Sequence, residues 1–394
     1  MRIESVDLFY LALPEVRDIG DGSQDMALVR VRADDGATGW GECEASPLPT
    51  IAALVAPPSH SACHGVLDSV LGARVDGPGD IAALAHRVAA RGLDLLQTPH
   101  AWAGIEIALW DLIGRVRGEP AWALLGHRTS GARLPYASQL FGDTPEQTYD
   151  KARAVADGGY RAAKFGWGPF GCSSVAADEA QLEAARAGLG DELALLVDAG
   201  TVWEQDVDAA AARLPALEGV GALWLEEPFV SGALDAYAEL AGRCRTVRLA
   251  AGEGAHNAHL ARHLIDFGRV GFVQIDTGRI GGIGPAAEVA RHAADRGVTY
   301  VNHTFTSQLA LAASLIPYAG VPDGALCEYP VEASPLATGL TRTQLRPGPD
   351  GLVRLPDAPG LGLELDLEAV RPYLRDVEIV VDGTCLYRTP ELAA

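Results

Sequence analysis

Seven ionisable residues recur along the middle of the chain at nearly regular intervals. They are Lys164, Asp198, Glu226, Glu253, Asp276, His303 and Glu328, and consecutive members lie 23 to 34 residues apart. Each lies at the end of a short apolar run, as in LLVD, LWLE and YVNH. Carboxylates can bind a cation, histidine can act as a base and lysine can bind an anion, so the set suits acid–base chemistry on a small acidic molecule.

Asp198, Glu226 and Glu253 are predicted to bind one Mg²⁺. They offer only hard oxygen ligands, with no Cys or His among them. Three converging carboxylates repel one another strongly unless a divalent cation lies between them. The alternative is that these carboxylates pair with arginines of the same domain.

Asp276 and His303 are predicted to form a catalytic dyad, in which the carboxylate holds one ring nitrogen and leaves the other to take a proton. The polar segment TYVNHTFTS is unusual for a buried strand end, which favours this function over a structural role. Lys164 is one of two lysines in the chain. Near a metal its pKa falls, or it binds a substrate carboxylate. The other lysine, Lys151, lies in a polar helical stretch and is predicted to be solvated.

Eight short apolar runs alternate with helical stretches. The runs cover residues 134–140, 162–168, 193–200, 222–228, 247–253, 272–278, 299–304 and 325–330. Uniformly apolar strands separated by helices form a parallel sheet, and eight such units predict an α/β fold, a (β/α)8-type TIM barrel. Because all strand carboxyl ends open on one face of such a barrel, the seven side chains should converge at one mouth.

The first part of the chain has a different pattern. Apolar and polar positions alternate around a DDG turn and predict an antiparallel sheet, and residues 51–117 carry the three- and four-residue spacing of amphipathic helices. We therefore expect an N-terminal α+β capping domain (1–130), a barrel domain (131–359) and a C-terminal segment (360–394). The EIVVDGTCLY run of that segment is expected to return to the sheet of the capping domain.

Composition narrows the class of protein. The chain has 394 residues, 52 acidic against 31 basic side chains and a net charge of -21. This balance argues against a nucleic-acid binder, which needs a basic face. No apolar run approaches the length of about 18 residues that a membrane span needs, and the N-terminus lacks the pattern of an export signal. Six dispersed cysteines are typical of reduced thiols and favour the cytoplasm.

The motifs GWGECEAS, AWAGIEIALWDLIGR, VDAG, LEEP, AGE, IDTGRIGG, NHT and CEYP together resemble the enolase superfamily, and within it the mandelate racemase subgroup. The resemblance spans nearly the whole chain. It implies that Asp198, Glu226 and Glu253 bind Mg²⁺, which holds a substrate carboxylate. It also implies that His303, oriented by Asp276, removes the proton alpha to that carboxylate.

The resemblance further implies that Glu328 hydrogen-bonds the carboxylate and stabilises the enediolate, and that the protein is a homo-oligomer. One motif departs from the family pattern. Members with two opposed bases carry Lys-x-Lys where this chain reads KFG, so Lys164 matches the first lysine and Gly166 replaces the second. Arg279 also stands where a lysine often occurs. With the second base gone, the simplest fate of the enediolate is loss of a beta-hydroxyl group.

The sequence therefore predicts a Mg²⁺-dependent sugar-acid dehydratase that forms a 2-keto-3-deoxy acid from a small hydroxy acid or sugar acid. One alternative is a racemase, epimerase or cycloisomerase in which Tyr136 or a capping-domain residue replaces the missing lysine. A second is a sugar-acid-binding barrel without activity. The loop PEVRDIGDGSQDM (14–26) is expected to close over the mouth and set specificity, its alternative being an ordinary flexible hairpin loop.

Overall fold

The computed structural model describes residues 1–44, 46–318 and 321–393. The first part of the chain is an antiparallel sheet covered by helices, as predicted. Its strands are β1 (Ile3–Ala12), β2 (Asp25–Ala33) and β3 (Thr38–Cys43). Its helices are α1 (Pro47–Val55), α2 (Leu67–Val70), α3 (Pro78–Arg91), α4 (Thr98–Arg117) and α5 (Ala121–Leu124).

Helix α4 is the central element of this capping domain, and nearly all of its first seventeen residues are buried. It ends at Gly118, whose φ of 69° is the left-handed conformation that glycine adopts most easily. Strand β3 packs directly on it through Gly39 and Gly41, where an added Cβ would collide with the backbone of α4 at Ala108 and Gly104. The glycines of the GWGE motif therefore permit the close approach of strand and helix.

Within the described residues, eight parallel strands form the second part of the molecule. They are β4 (Ala132–Leu140), β5 (Ala162–Gly166), β6 (Ala194–Asp198), β7 (Ala222–Glu226), β8 (Arg248–Ala251), β9 (Phe272–Asp276), β10 (Thr299–His303) and β11 (Ala325–Pro330). They are hydrogen-bonded in the order β10-β9-β8-β7-β6-β5-β4-β11. The Asn302 side chain bridges the two end strands: its Oδ1 accepts from Glu328 N at 2.8 Å and its Nδ2 donates to Glu328 O at 3.4 Å. This nearly closed barrel confirms the predicted TIM-barrel fold.

Helices surround the barrel and cover its outer face. They are α6 (Pro145–Asp157), α7 (Val175–Leu189), α8 (Val207–Ala211), α9 (Leu214–Gly219), α10 (Leu234–Arg243), α11 (Ala258–Asp266), α12 (Ile283–Arg296) and α13 (Gln308–Leu315). Two short helices that follow the last barrel strand, α14 (Pro335–Gly339) and α15 (Leu367–Val370), pack against each other. The barrel interior holds a buried layer of side chains that includes Tyr136, Leu196, Trp224 and Phe272. Among the described residues, no helix combines the length and apolar character that would let it cross a membrane.

The C-terminal segment returns to the capping domain by a different strand from the one predicted. Strand β13 (Leu374–Arg375) pairs antiparallel with β1, after β12 (Val353–Arg354) has paired with β4. The EIVVDGTCLY run instead folds on itself as β14 (Glu378–Val381) and β15 (Thr384–Arg388). Its turn residues Asp382 and Gly383 have φ values of 48° and 74°. Positive φ at both positions of an Asp-Gly turn matches the twist of a tight hairpin, so local pairing prevails.

Candidate active site

The carboxyl ends of the barrel strands surround a cavity of about 220 Å³, and all seven predicted residues lie at it or directly behind it. Four of them line the cavity: Lys164, Asp198, Glu253 and His303. Glu226 and Glu328 lie behind this lining and contact Lys164. Asp276 contacts His303. The strand-end positions thus bring the seven side chains together, as the sequence predicts.

Lys164 is buried at the centre of three carboxylates. Its Nζ lies 2.6 Å from Oε1 of Glu226, 2.8 Å from Oε1 of Glu328 and 3.4 Å from Oδ2 of Asp198. Although burial opposes the charged form, these carboxylates hold the pKa of Lys164 well above its usual value. The lysine is therefore a fixed positive charge in the floor of the cavity.

The three predicted metal ligands differ in their partners. Burial raises the pKa of Asp198 to about 6 and that of Glu226 well above its usual value, although Lys164 lowers both. Glu253 behaves oppositely: burial is outweighed by His303 and Arg279, which lower its pKa. Its Oε2 lies 2.9 Å from Nε2 of His303 and its Oε1 lies 3.2 Å from Nη1 of Arg279. One of the three carboxylates, Glu253, therefore pairs with a barrel arginine, as the alternative interpretation predicted for all three.

The charge of the donor set fits a cation. In the described part of the chain, the carboxyl groups gathered at the mouth outnumber the cationic side chains by eight to three. The carboxyl groups are Asp21, Glu44, Asp198, Glu226, Glu227, Glu253, Asp276 and Glu328, and the cations are Lys164, Arg279 and His303. A dication would offset this excess, and oxygen donors are those that Mg²⁺ prefers.

The arrangement of these side chains is that of ion pairs between protein groups. Over residues 1–44, 46–318 and 321–393, no group of three or more His, Cys, Asp or Glu side chains has the geometry of a metal site. A cation that binds Glu253 competes with the ion pairs from this carboxylate to Arg279 and His303. The chemistry of the donors fits Mg²⁺, and its binding requires these partners to separate.

His303 and Asp276 are the last residues of β10 and β9 and pair in register. Nδ1 of His303 lies 2.7 Å from Oδ2 of Asp276, and Oδ1 of the aspartate accepts from Gly278 N at 2.7 Å. The carboxylate is therefore held from both sides, which fixes the plane of the imidazole. Although burial opposes it, Glu253, Glu328 and Asp276 raise the pKa of His303 well above its usual value.

Glu328 is buried in β11, one of the two end strands of the barrel, and both of its carboxylate oxygens accept hydrogen bonds. Its Oε1 accepts from Ser138 Oγ at 2.8 Å, and its Oε2 accepts from Thr304 N at 2.8 Å. Ser138 was not identified from the sequence, although its strand position pairs in register with Lys164. That register could have identified it, because neighbouring strands of a parallel barrel bring equivalent positions to the same level.

Gly166, which replaces the second lysine of the family pattern, has its backbone against a predicted metal ligand. An added Cβ would lie 2.8 Å from Oδ2 and 2.9 Å from Cβ of Asp198. The next residue, Trp167, lines the cavity with a left-handed φ of 55°. Its indole lies between Gly20 and Gly200, where an added Cβ on either glycine would collide with the ring. This face of the cavity therefore presents a glycine and an aromatic ring.

The capping domain closes one side of the cavity. Four residues of the 14–26 loop line it: Ile19, Gly20, Asp21 and Gly22. Glu44, just beyond β3, forms a bidentate ion pair with Arg279, in which Nη2 lies 2.8 Å from Oε1. Sequence reasoning missed Glu44, whose signal was an acidic residue directly after a strand. Tyr136, proposed above as a replacement base, lies in the buried layer with its ring centroid 5.4 Å from that of Trp224.

Comparison with known proteins agrees with this architecture. Residues 19–126 match the mandelate racemase / muconate lactonizing enzyme N-terminal domain, and residues 147–370 match the enolase C-terminal domain-like family. A D-galactarolactone cycloisomerase from Agrobacterium fabrum is 30% identical over 88% of this chain and 90% of that protein. A D-galactonate dehydratase from Variovorax paradoxus is 28% identical over 87% of this chain and 89% of that protein.

A solved structure described as a predicted mandelate racemase from Rhodobacter sphaeroides is 58% identical to this chain. It superposes with a TM-score of 0.93 and covers 99% of this chain and 100% of that one. Similar proteins thus carry the names of cycloisomerases, dehydratases and racemases. Because the two family models together match most of the chain, the protein belongs to the mandelate racemase subgroup of the enolase superfamily.

Proposed function

We propose that the protein is a Mg²⁺-dependent dehydratase that converts a sugar acid into a 2-keto-3-deoxy acid. The observation that carries this proposal is the asymmetry of the cavity. One side holds the paired His303 and Asp276, whereas the side that follows Lys164 holds Gly166 and Trp167. Removal and return of a proton on opposite faces of a substrate needs two bases, and elimination of water needs one.

The substrate carboxylate would bind at the positive floor of the cavity. Asp198, Glu226 and Glu253 would hold Mg²⁺, which when bound supplies positive charge to the substrate carboxylate. Lys164, which contacts Glu226 and Asp198, would add a second, fixed positive charge beside these ligands. Glu328, held by Ser138 and Thr304 behind the cavity lining, would act on the enediolate by turning toward the substrate.

His303 would remove the C2 proton at Nε2 while Asp276 holds Nδ1. Nε2 contacts Glu253 in this structure, so a cation bound to Glu253 would free this nitrogen to act as the base. The C2–H electron pair first passes into the substrate carboxylate to form the enediolate, and it then forms the C2–C3 double bond as the C3–O bond breaks. The protonated imidazole donates its proton to the departing hydroxyl in a syn elimination, or another acid does so in an anti elimination. The enol that results tautomerises to the 2-keto acid.

A second candidate is a cycloisomerase of a sugar-acid derivative. It is favoured by the similarity to the D-galactarolactone cycloisomerase, which covers 88% of this chain. The same dyad would remove the alpha proton, and the two reactions differ in which C–O bond breaks. A racemase has weaker support, because Gly166 stands in place of the second lysine and the adjacent lining residue is Trp167.

The experiment that tests the proposal is a screen of mono- and diacid sugars with Mg²⁺ for 2-keto acid formation. Wild-type protein should convert at least one of them, and His303→Asn should abolish turnover while leaving the fold intact. His292→Asn serves as the matched control, because His292 pairs with Asp266 on the outside of the barrel. Conversion of lactones without any 2-keto acid from the open-chain acids would replace the dehydratase by the cycloisomerase.

A further inference from the structure

The capping domain contacts the barrel helix that follows Asp276 in the sequence. Helix α12 begins after Gly282, which carries no side chain to cap the free N–H groups of the first turn. The buried Glu106 of α4 supplies this cap from the other domain. Its Oε2 accepts from Ile283 N at 2.7 Å and its Oε1 accepts from Gly284 N at 2.8 Å. Its Oε1 also accepts from Trp110 Nε1 at 2.8 Å, which fixes the carboxylate on α4.

The capping domain also contacts the helix that follows His303 in the sequence. Ser307 is the N-cap residue of α13, and its Oγ accepts from Leu309 N at 3.0 Å. The same hydroxyl donates to Oε2 of Glu42, a buried residue of β3. Three residues separate His303 from Ser307. Ser307 therefore links the cap sheet to the segment that carries the predicted base.

The two contacts fall on the segments that directly follow the two strands of the dyad. We propose that Glu42 and Glu106 are positioning residues, through which the capping domain holds His303 and Asp276 in register for proton transfer. The role goes beyond closing the cavity, because neither side chain lines it. Asp198, Glu226 and Lys164 come from β5 to β7, so other parts of the barrel position them. Glu253, in the turn after β8, contacts both dyad segments through His303 and Arg279.

If the capping domain holds the dyad segments and the barrel holds the other site residues, the variants should show a specific kinetic pattern. Loss of either contact should let the dyad segments shift while Lys164, Asp198 and Glu226 keep their mutual contacts. A displacement of about 1 Å can reduce turnover about a hundredfold. Glu42→Gln and Glu106→Gln should therefore lower kcat by about tenfold to a hundredfold, with an unchanged KM. This part of the inference depends on the proposed function.

A second measurement is independent of any substrate. Hydrogen–deuterium exchange of the full-length variants should accelerate about tenfold at amides of residues 277–285 in Glu106→Gln and of residues 303–310 in Glu42→Gln. Residues 193–200 and 222–228 should exchange as in the wild type. Glu119→Gln, an exposed position just beyond α4, is the matched control and should change neither readout.

If Glu106→Ala unfolds, the Gln variants still decide the question, because Gln keeps the size of the side chain. Unchanged exchange in both dyad segments would overturn the proposal, and so would acceleration spread equally over all barrel strands. A raised KM with unchanged kcat would also overturn it, in favour of a lid. Absence of dehydratase activity in the wild type would refute the proposed function alone and leave the exchange result standing.

Discussion

His303 and Asp276 lie side by side at the ends of two parallel strands, with 2.7 Å between Nδ1 of the imidazole and Oδ2 of the carboxylate. The same imidazole contacts Glu253 through Nε2 at 2.9 Å. Each ring nitrogen therefore faces a carboxylate. One of these is the predicted orienting group, and the other is a predicted metal ligand. A cation bound to Glu253 would therefore compete with the contact between this carboxylate and the imidazole.

Asp276→Asn tests the orienting role. The amide can occupy the same space but does not stabilise the imidazolium that forms on proton transfer. We expect kcat to fall by about a hundredfold or more, the size of a typical general-base contribution, with the fold retained. Steady-state kinetics on the substrate found by the screen is the measurement. Asp266→Asn, at the outer pair of Asp266 with His292, should have wild-type kinetics. Equal effects of the two changes would contradict the role.

Lys164→Met tests the charge balance of the cavity floor. The change leaves Asp198, Glu226 and Glu328 without their shared cation and should cost about 3 to 5 kcal/mol of unfolding free energy in the absence of metal. Added Mg²⁺ should restore part of it. The measurement is urea denaturation in EDTA and in Mg²⁺. Lys151→Met removes a half-exposed ion pair with Glu332 and should cost less than about 1 kcal/mol. If Mg²⁺ does not raise the unfolding free energy of the Lys164 variant, the lysine and the metal do not neutralise the same carboxylates.

Gly166→Ala tests the contact between this backbone and Asp198. The added Cβ would lie 2.8 Å from Oδ2 of Asp198, so the carboxylate must move. Mg²⁺ affinity, measured by calorimetric titration, should fall about tenfold. The control is Gly79→Ala in α3, where an added Cβ meets no atom of the described chain within 4 Å. Undiminished affinity in the Gly166 variant would show that Asp198 tolerates displacement or does not bind the metal.

The free energy of unfolding should depend on pH because the buried carboxyl of Glu106 ionises. Burial raises the pKa of this carboxyl to about 7, although its three hydrogen bonds lower it. The folded state therefore holds the proton more tightly than the unfolded chain. The resulting stabilisation is complete below a pH of about 4.5 and is lost as the pH rises through about 7, a change of up to about 3 kcal/mol.

Glu106→Gln removes this titration. Urea denaturation between a pH of about 5 and 8 should show a smaller loss of unfolding free energy with rising pH than in the wild type. Glu119→Gln should follow the wild-type curve. Parallel curves for wild type and Glu106→Gln would show that Glu106 does not change its charge in this range.

The barrel and its seven residues could be predicted because the signals are local. A short apolar run gives a strand, alternation with helices gives a parallel sheet, and the sheet brings strand ends to one mouth. Residues such as Asp198 and His303 need no knowledge of distant contacts to be placed. The extra hairpin was mispredicted because its apolar alternation is the same whichever strand it pairs with.

Contacts between the two domains could not be predicted in this way. Glu44 and Arg279 are 235 residues apart, Glu106 and Ile283 are 177 apart, and Glu42 and Ser307 are 265 apart. No periodic pattern specifies which residues meet when two preformed surfaces dock. The partners of Glu253 could not be predicted from the sequence either, because a carboxylate at a strand end can bind either a metal or the arginine that follows the next strand.

The fate of the substrate's C2 centre in deuterium oxide tests the single-base account most directly. Wild-type protein with Mg²⁺ and a substrate from the screen should form 2-keto acid, and the unreacted substrate should keep its C2 configuration. His303→Asn should give neither product nor C2 exchange. Recovery of substrate inverted at C2 by the wild type would reveal a second base and contradict the account, as would dehydration that persists in His303→Asn.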